Sequence, residues 1–516
     1  MSAEALLEQE FGLLAELIQA HAQQRPRHPA LIDDRKTLDY GELDRAMDRI
    51  AASLQRDQVH SGEAIAICAP SSVDYAVVFL GALRAGVAVA PLSPSSTAQS
   101  LATMLIDSGA KILFVDQSVA LALAPVALPS SLQLVRLDGS PGAVSLDEWL
   151  APLGSTPAPV SIDPEAPFNV IYSSGTTGAP KGIVQPHRMR WAHVRRARSF
   201  GYDGDAVTMC STPLYSNTTL VSFFPALAGG GAAVLMSKFD AARFLELSQR
   251  HRVTHAMLVP VQYQRLMDQP DFDNYDLSSY RIKFCTSAPF APALKADILR
   301  RWPGGLIEYY GMTEGGGTCM LLAHQFPHKL HTVGQPMPGH DIRLIDEQGQ
   351  EVPVGQVGEV VGRSSAMMKG YFNQPGQTAE AQWCDADGNR FIRTGDIGRF
   401  DADGFLTLLD RRKDMIISGG FNIYPSDLEV VLLQHPAVRD AAVVGVPSKA
   451  WGETPVAFVV LKDGCSETTE QIQAWTNERL GKTQRLAAVE PIAELPRSAI
   501  GKVLKRELRE KFSGGV

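Results

Sequence analysis

Apolar positions in the first hundred residues alternate between two textures. Leu43, Met47, Ile50 and Leu54 recur every three or four residues and predict one face of a helix, the second after an N-terminal one. Ala64-Ile65-Ala66-Ile67-Cys68 is a short continuous apolar run and predicts a strand. Tyr75, Phe79 and Leu83 return to helical spacing, and Val87-Ala88-Val89-Ala90, stopped by Pro91, predicts the next strand. Strand, helix, strand at this spacing predicts a parallel α/β sheet. Residues 139–167, rich in Pro, Ser, Gly and Ala, read as a connector between two subdomains. The alternation then resumes, with Leu294, Ile298 and Trp302 marking a helix and Leu306-Ile307-Glu308-Tyr309-Tyr310 a strand.

From about residue 335 the pattern shortens to strands broken by Gly/Asp turns at Asp346, Gly349, Gly355, Gly358, Asp385, Gly388, Asp403 and Gly404, which predicts a small β-rich subdomain. An α+β segment fills 411–516, opened by the charge run Asp410-Arg411-Arg412-Lys413-Asp414. The expected fold class is therefore α/β: a large N-terminal domain over 1–410, made of two parallel α/β subdomains and the β-rich one, with a small α+β domain over 411–516. A chain of 516 residues is too long for one ordinary core.

Composition narrows the function classes. Hydrophobic residues at 45% and charged residues at 20% describe a soluble globular chain. A net charge of -8 without a basic stripe argues against nucleic acid as a partner. Cys68, Cys210, Cys285, Cys319, Cys384 and Cys465 lie far apart with no CxxC pair, which suits reduced thiols in a cytoplasmic protein. Residues 1–20 carry Glu4, Glu8, Glu10 and Glu16 and do not resemble a signal peptide. The apolar stretches 73–92 and 219–236 are interrupted by Asp74, Arg84 and Gly86, and by Pro225 and Gly229-Gly230-Gly231, so both read as core and no membrane span is expected.

The candidate chemistry begins at Tyr172-Ser173-Ser174-Gly175-Thr176-Thr177-Gly178-Ala179-Pro180-Lys181-Gly182, which follows a strand-like run from Phe168. Its glycines let backbone N–H groups approach an anion, its Ser and Thr residues add hydroxyls, and Lys181 supplies a mobile charge. This is the chemistry of a polyphosphate cradle. Gly182 stands where the common nucleotide-triphosphatase loop has a magnesium-binding Ser or Thr, so a metal ligand must come from elsewhere.

Further motifs follow in order: Tyr310-Gly311-Met312-Thr313-Glu314, Arg393-Thr394-Gly395-Asp396, Asp410 through Gly420, and Pro496-Arg497-Ser498-Ala499-Ile500-Gly501-Lys502. The ordered set resembles the adenylate-forming superfamily of acyl-CoA and aryl-CoA synthetases, peptide-synthetase adenylation domains and beetle luciferases, and the likeness runs from Leu38-Asp39-Tyr40-Gly41-Glu42-Leu43 onward. It implies an AMP-forming acid–thiol ligase with ATP, Mg²⁺ and CoA as cofactors. A carboxylate and ATP would give acyl-AMP and pyrophosphate, and a thiol would then attack the acyl-AMP.

The resemblance also implies roles. Ser173, Ser174, Gly175, Thr176, Thr177, Gly178 and Lys181 would hold the β- and γ-phosphates, Thr313 the α-phosphate, and Glu314 the Mg²⁺, a hard cation suited to carboxylate oxygen. Tyr310, with Tyr309, Gly311 and Met312 beside it, and the segment Ser287-Ala288-Pro289 would flank the adenine. Asp396 and Arg411 would bind the ribose; alone, Asp396 reads as a turn aspartate. Lys502 would bridge the substrate carboxylate and the α-phosphate, whereas Lys505 and Lys511 read as solvated. The C-terminal domain is expected to be mobile, turning about Lys413 to bring Gly419-Gly420 toward a pantetheine arm.

An acyl pocket is expected from Tyr215, Ser216 and Asn217, from Thr286-Ser287-Ala288, and from Met312 with Gly315, Gly316 and Gly317, whose missing side chains leave space for an aromatic ring or an extended chain. Asn217 reads either as a substrate hydroxyl contact or as a local turn residue. Amino-acid-activating members of the superfamily usually place an aspartate in the first segment, here Leu214-Tyr215-Ser216-Asn217-Thr218, to pair with the substrate ammonium; none is present, which argues against a free α-amino acid. The chain ends soon after Lys502, so a free acceptor is expected: CoA first, with a carrier protein or an amine as the alternative. An oxidative, luciferin-type reaction and a non-enzymatic binding role are weaker readings, and either a monomer or a homodimer is compatible with the charge distribution.

Overall fold

Asp39 and Glu42 start the helix that the Leu43 pattern predicts. The Asp39 carboxylate accepts from the Glu42 N–H at 2.7 Å, and the Glu42 carboxylate accepts from the Asp39 N–H at 3.0 Å, a reciprocal cap. The helix runs Tyr40–Arg56 and buries Leu43, Met47, Ile50 and Leu54. These coordinates come from a computed structural model, which describes residues 1–140, 142–173, 180–411, 414–418, 421–448, 451–465, 467–481, 484–498 and 501–512; of Ser173, Phe421 and Asn422 the backbone alone is described.

Two compact units divide the chain. One takes Met1–Leu330, Met337–Asp341 and Arg363–Ile392, the other His331–Pro336, Ile342–Gly362 and Arg393–Val516. In the first unit the predicted strand Ala64–Cys68 lies between Ala88–Pro91 and Ile112–Val115, parallel to both. Ala88–Pro91 in turn pairs in parallel with Pro167–Ser173, which turns back antiparallel into Lys181–Pro186. Residues 139–167 are more than a connector: Val144–Ser145 adds a strand beside Gln133–Arg136, and the short helix Leu146–Trp149 buries Trp149 against Phe114. The buried residues Leu146 and Trp149 do this among the Pro, Ser and Gly that dominate the composition.

A second sheet of the same unit carries the parallel strands Pro29–Ile32, Ala232–Leu235, Val207–Cys210, His255–Leu258, Ile282–Cys285 and Gly305–Tyr310, with Cys319–Leu322 antiparallel beside the last. The stretch 219–236 is helix and strand within this unit: helix Asn217–Ala228 contains Pro225, and strand Ala232–Leu235 follows. Phe79, Phe168 and Phe224 pack edge-on or tilted at centroid distances of 5.1 to 6.3 Å. Among the described residues no helix is long and apolar enough to cross a membrane.

In the second unit Val438–Ser448 and Gly452–Leu461 form a long antiparallel pair. Alternate residues face opposite sides, as strand geometry requires. Ala441 and Val443 join Leu428, Leu432 and Ile472 on one face, while Ala442, Val444 and Val446 join Phe458, Leu495 and Leu508 on the other. Helices Pro425–Leu433, Thr469–Asn477 and Lys505–Lys511 supply Leu428, Leu432, Ile472 and Leu508.

Candidate active site

The phosphate-loop candidate joins two antiparallel strands, Pro167–Ser173 and Lys181–Pro186. Ser173 at the end of one strand pairs in register with Lys181 at the start of the next. Ser174, Gly175, Thr176, Thr177 and Gly178 lie outside the described residues. Gly370–Tyr371 adds to the hairpin's outer strand, with Tyr371 opposite Ile183. Lys181 Nζ sits 5.2 Å from the centre of the Tyr371 ring. The Tyr371 hydroxyl donates to Glu314 Oε1 at 2.9 Å. Burial and the adjacent Glu314 carboxylate both push the Tyr371 hydroxyl above its ordinary value, so it stays a proton donor. The Met368 N–H holds the Glu314 carbonyl at 2.8 Å, and Met312 packs on Ile183, Met367 and Met368.

Tyr310 through Glu314 leave the C-terminal end of strand Gly305–Tyr310, and Ser287-Ala288-Pro289 leave the same end of its parallel neighbour Ile282–Cys285. Open parallel sheets bind ligands at this edge. Ser287 has φ 82, a costly conformation for a residue with a Cβ, and its hydroxyl is 2.7 Å from that of Thr218. Thr218 stands in the first turn of helix Asn217–Ala228, where the Ser216 hydroxyl accepts its N–H at 3.3 Å. Tyr215, half-buried, precedes that turn. Tyr309 stacks on Phe284 at 5.6 Å with the Arg196 guanidinium 6.0 Å from its ring.

The space expected beside the glycines is filled at Gly315. A Cβ there would lie 2.0 Å from the Ala366 carbonyl oxygen, and the residue has φ 79, so glycine is required by backbone approach. Gly316 also has a positive φ, 84.

In the second unit Asp396 and Arg411 are register partners, joined by an ion pair of 3.1 Å between Arg411 Nε and Asp396 Oδ1. Lys502, exposed, lies on a tight turn: Ser498 N–H donates to the Lys502 carbonyl at 2.8 Å, and Gly501, at φ 77, donates its N–H to the Ser498 carbonyl at 2.8 Å. Arg497 anchors the turn, donating to the Gly501 carbonyl at 2.8 Å and to Asp440 at 2.6 Å. Lys413, Gly419 and Gly420 lie outside the described residues.

Lys505 corrects the expectation of a solvated lysine. Its Nζ pairs with Glu429 at 3.0 Å, with side-chain exposures of 17% and 22%. Burial pulls the ammonium down, but Glu429 and Asp410 outweigh that and raise it. Lys511 is exposed, as expected.

The family follows from comparison with known proteins. Residues 18–372 match the family model described as AMP-binding enzyme, and residues 427–502 match that of the AMP-binding enzyme C-terminal domain. The chain belongs to the AMP-binding enzyme family. It is 33% identical to "4-coumarate--CoA ligase-like 9" of Oryza sativa subsp. japonica, over 92% of this chain and 87% of that one. It is 32% identical to "Fatty acid--[acyl-carrier-protein] ligase ScoC" of Streptomyces coeruleorubidus, over 96% and 95%. Among solved structures, the amide bond synthetase McbA from Marinactinospora thermotolerans superposes with a TM-score of 0.85 at 28% identity, covering 96% of this chain and 99% of that one.

Several residues of this AMP-binding enzyme's candidate site escaped the sequence reading. Tyr371 is one, because nothing local ties a strand-end tyrosine to a glutamate 57 positions away. Asn169, Gln185 and Arg190 are others. Gln185 Nε2 donates to the Thr313 carbonyl at 2.7 Å, and Arg190 Nε donates to Asn169 Oδ1 at 3.0 Å. A signal was present: Arg190 falls on the stripe His187, Arg190, Trp191, Val194 of helix His187–Ala197, the buried face. A charge on an apolar stripe needs polar partners.

Glu314 is an anionic oxygen donor whose orientation Tyr371 fixes, which fits a hard divalent cation. Lys181 beside the same ring adds a positive charge at the hairpin.

Proposed function

We propose that this AMP-binding enzyme is an AMP-forming carboxylate–CoA ligase that activates an aryl or a medium- to long-chain acyl acid and transfers it to CoA. ATP, Mg²⁺ and CoA are its cofactors. A carboxylate oxygen attacks the α-phosphorus, the bond to the bridging oxygen breaks, and pyrophosphate leaves. The CoA thiol, losing its proton, then attacks the acyl carbon and AMP leaves. The first step brings two anions together, so positioning and charge neutralisation dominate.

Lys181, with Ser173 through Gly178, would hold the leaving pyrophosphate, and Thr313 the α-phosphate. Glu314, oriented by Tyr371, would hold Mg²⁺, which when bound supplies positive charge to the phosphates. Asp396 and Arg411 would hold the ribose, and Lys502 would neutralise the attacking carboxylate. Residues 1–410 would bind ATP and the acid. Residues 411–516 would turn about Lys413, withdrawing Lys502 and bringing Gly419-Gly420 to the thiol path.

The observation that carries this reading is the convergence of Lys181 and Glu314 on Tyr371. A second reading, transfer to a carrier protein or an amine, is supported by the likeness to ScoC and McbA. The test is pyrophosphate release over a panel of carboxylic acids, followed by AMP and thioester measurement with and without CoA. CoA-dependent thioester is expected. Activated acids that give no CoA product, but react with a carrier protein or an amine, would replace the first reading by the second.

A further inference from the structure

Arg190 is only 2% exposed, and among the described residues it has no carboxylate partner. It lies near the rings of Phe168 and Phe224, 5.8 and 5.6 Å from their centres. Burial lowers the guanidinium to about 9, which leaves it charged at neutral pH. A guanidinium has hydrogens to give and no lone pair to offer. The two amides that meet it must therefore turn their oxygens inward: Nε donates to Asn169 Oδ1 at 3.0 Å, and Nη2 donates to Gln185 Oε1.

That orientation propagates outward. With its oxygen on Arg190, Asn169 gives its Nδ2 hydrogen to Gln185 Oε1 at 2.9 Å. Gln185 Oε1 thus accepts from two donors, and its Nε2 must face the other way. There it donates to the Thr313 carbonyl at 2.7 Å and to Asn217 Oδ1 at 3.3 Å. Flipping Asn169 or Gln185 would set N–H against N–H in a dry interior, where neither side chain has any exposure, and flipping Asn217 would set its N–H against that of Gln185. Asn217 is consequently held with its oxygen toward Gln185. Its Nδ2 has no hydrogen-bond partner among the described residues, and its side chain keeps solvent access.

We propose that Arg190, acting through Gln185, makes Asn217 a hydrogen-bond donor at the start of helix Asn217–Ala228, where the acyl pocket is expected, and that Asn217 selects carboxylic acids bearing an acceptor oxygen close to the carboxyl group. The closeness follows from Gln185, whose single nitrogen bonds both Asn217 and the carbonyl of Thr313. Asn217 is the specificity-determining residue, and Gln185 and Arg190 are positioning residues. The proposal rests on the adenylation reading of the site.

The test compares isosteric acid pairs that differ by one oxygen: phenoxyacetate against 3-phenylpropanoate for an aryl skeleton, or 3-oxanonanoate against nonanoate for an alkyl one. Pyrophosphate release without CoA is the readout. The ether is expected to be favoured about tenfold in kcat/KM, mainly through KM, the size of one neutral hydrogen bond. Asn217→Asp keeps an acceptor for Gln185 but removes the outward donor, so the preference should vanish or invert. Arg190→Met frees the Gln185 amide to turn and should bring the ratio toward one. Arg190→Lys, another pure donor, should retain the preference and covers the case in which the methionine variant does not fold. Equal rates for both acids of a pair in the wild type, or one common factor of loss for both in Asn217→Asp, would overturn the proposal while leaving the ligase reading intact. No pyrophosphate from any acid would remove the adenylation reading and this proposal with it.

Discussion

Tyr371 donates its hydroxyl hydrogen to Oε1 of Glu314 at 2.9 Å, linking the strand added to the hairpin with the loop after strand Gly305–Tyr310. A hydrogen bond to an ionised carboxylate is worth roughly 1.5–3 kcal/mol. Tyr371→Phe should therefore raise the Mg²⁺ concentration needed for half-maximal pyrophosphate release about tenfold or more. An unchanged Mg²⁺ dependence would separate Tyr371 from the metal ligand.

Gly315 allows the chain to pass under the Ala366 carbonyl. In Gly315→Ala the new Cβ would meet that oxygen at 2.0 Å with φ held at 79, so the adjoining Glu314 must shift. The expected result is a loss of stability of about 2–4 kcal/mol in urea unfolding and a loss of pyrophosphate release beyond what the stability change explains. Near-wild-type behaviour in both would mean that the loop is free to move.

Lys505 separates a half-buried, paired cation from a surface one. Lys505→Met leaves Glu429 and Asp410 without their compensating charge, and should cost about 3 kcal/mol. Lys511→Met should stay within about 0.5 kcal/mol of wild type. Unfolding curves of the two variants check the contrast.

Two buried histidines should make the protein lose stability as pH falls below about 6.5. Burial lowers His187 to about 4 from 6.5, and lowers His255 to about 4 against the opposing hydrogen bond to the Phe200 carbonyl. The unfolded chain takes up these protons near pH 6.5 and the folded chain only near 4. Stability contributed by each neutral imidazole is thus complete above about pH 6.5 and declines as pH falls toward 4, by roughly 3 kcal/mol per site. Unfolding free energies across that range should show the slope, and His187→Gln should remove its share.

The sequence made the regular elements legible where apolar spacing alone decides them. The stripe Leu43, Met47, Ile50, Leu54 and the run Ala64–Cys68 became the helix and strand they predict. The order of the motifs likewise pointed to the family. What stayed hidden depends on long-range contact. Val144 and Trp149 find their places only once Gln133–Arg136 and Phe114 are present. Lys505 looks like any lysine near a chain end until Glu429 is set beside it. Glycine at 315 suggested an empty pocket, because sequence does not distinguish a missing side chain that makes room for a ligand from one that makes room for backbone.

The most direct test of the account follows Lys502 through the two half-reactions separately. Lys502→Ala should bind ATP normally and lose most of the rate of acyl-AMP formation, yet convert preformed acyl-AMP and CoA to thioester at close to the wild-type rate. An unimpaired first half-reaction, or equal loss of both, would contradict the assignment of Lys502 to the adenylation step.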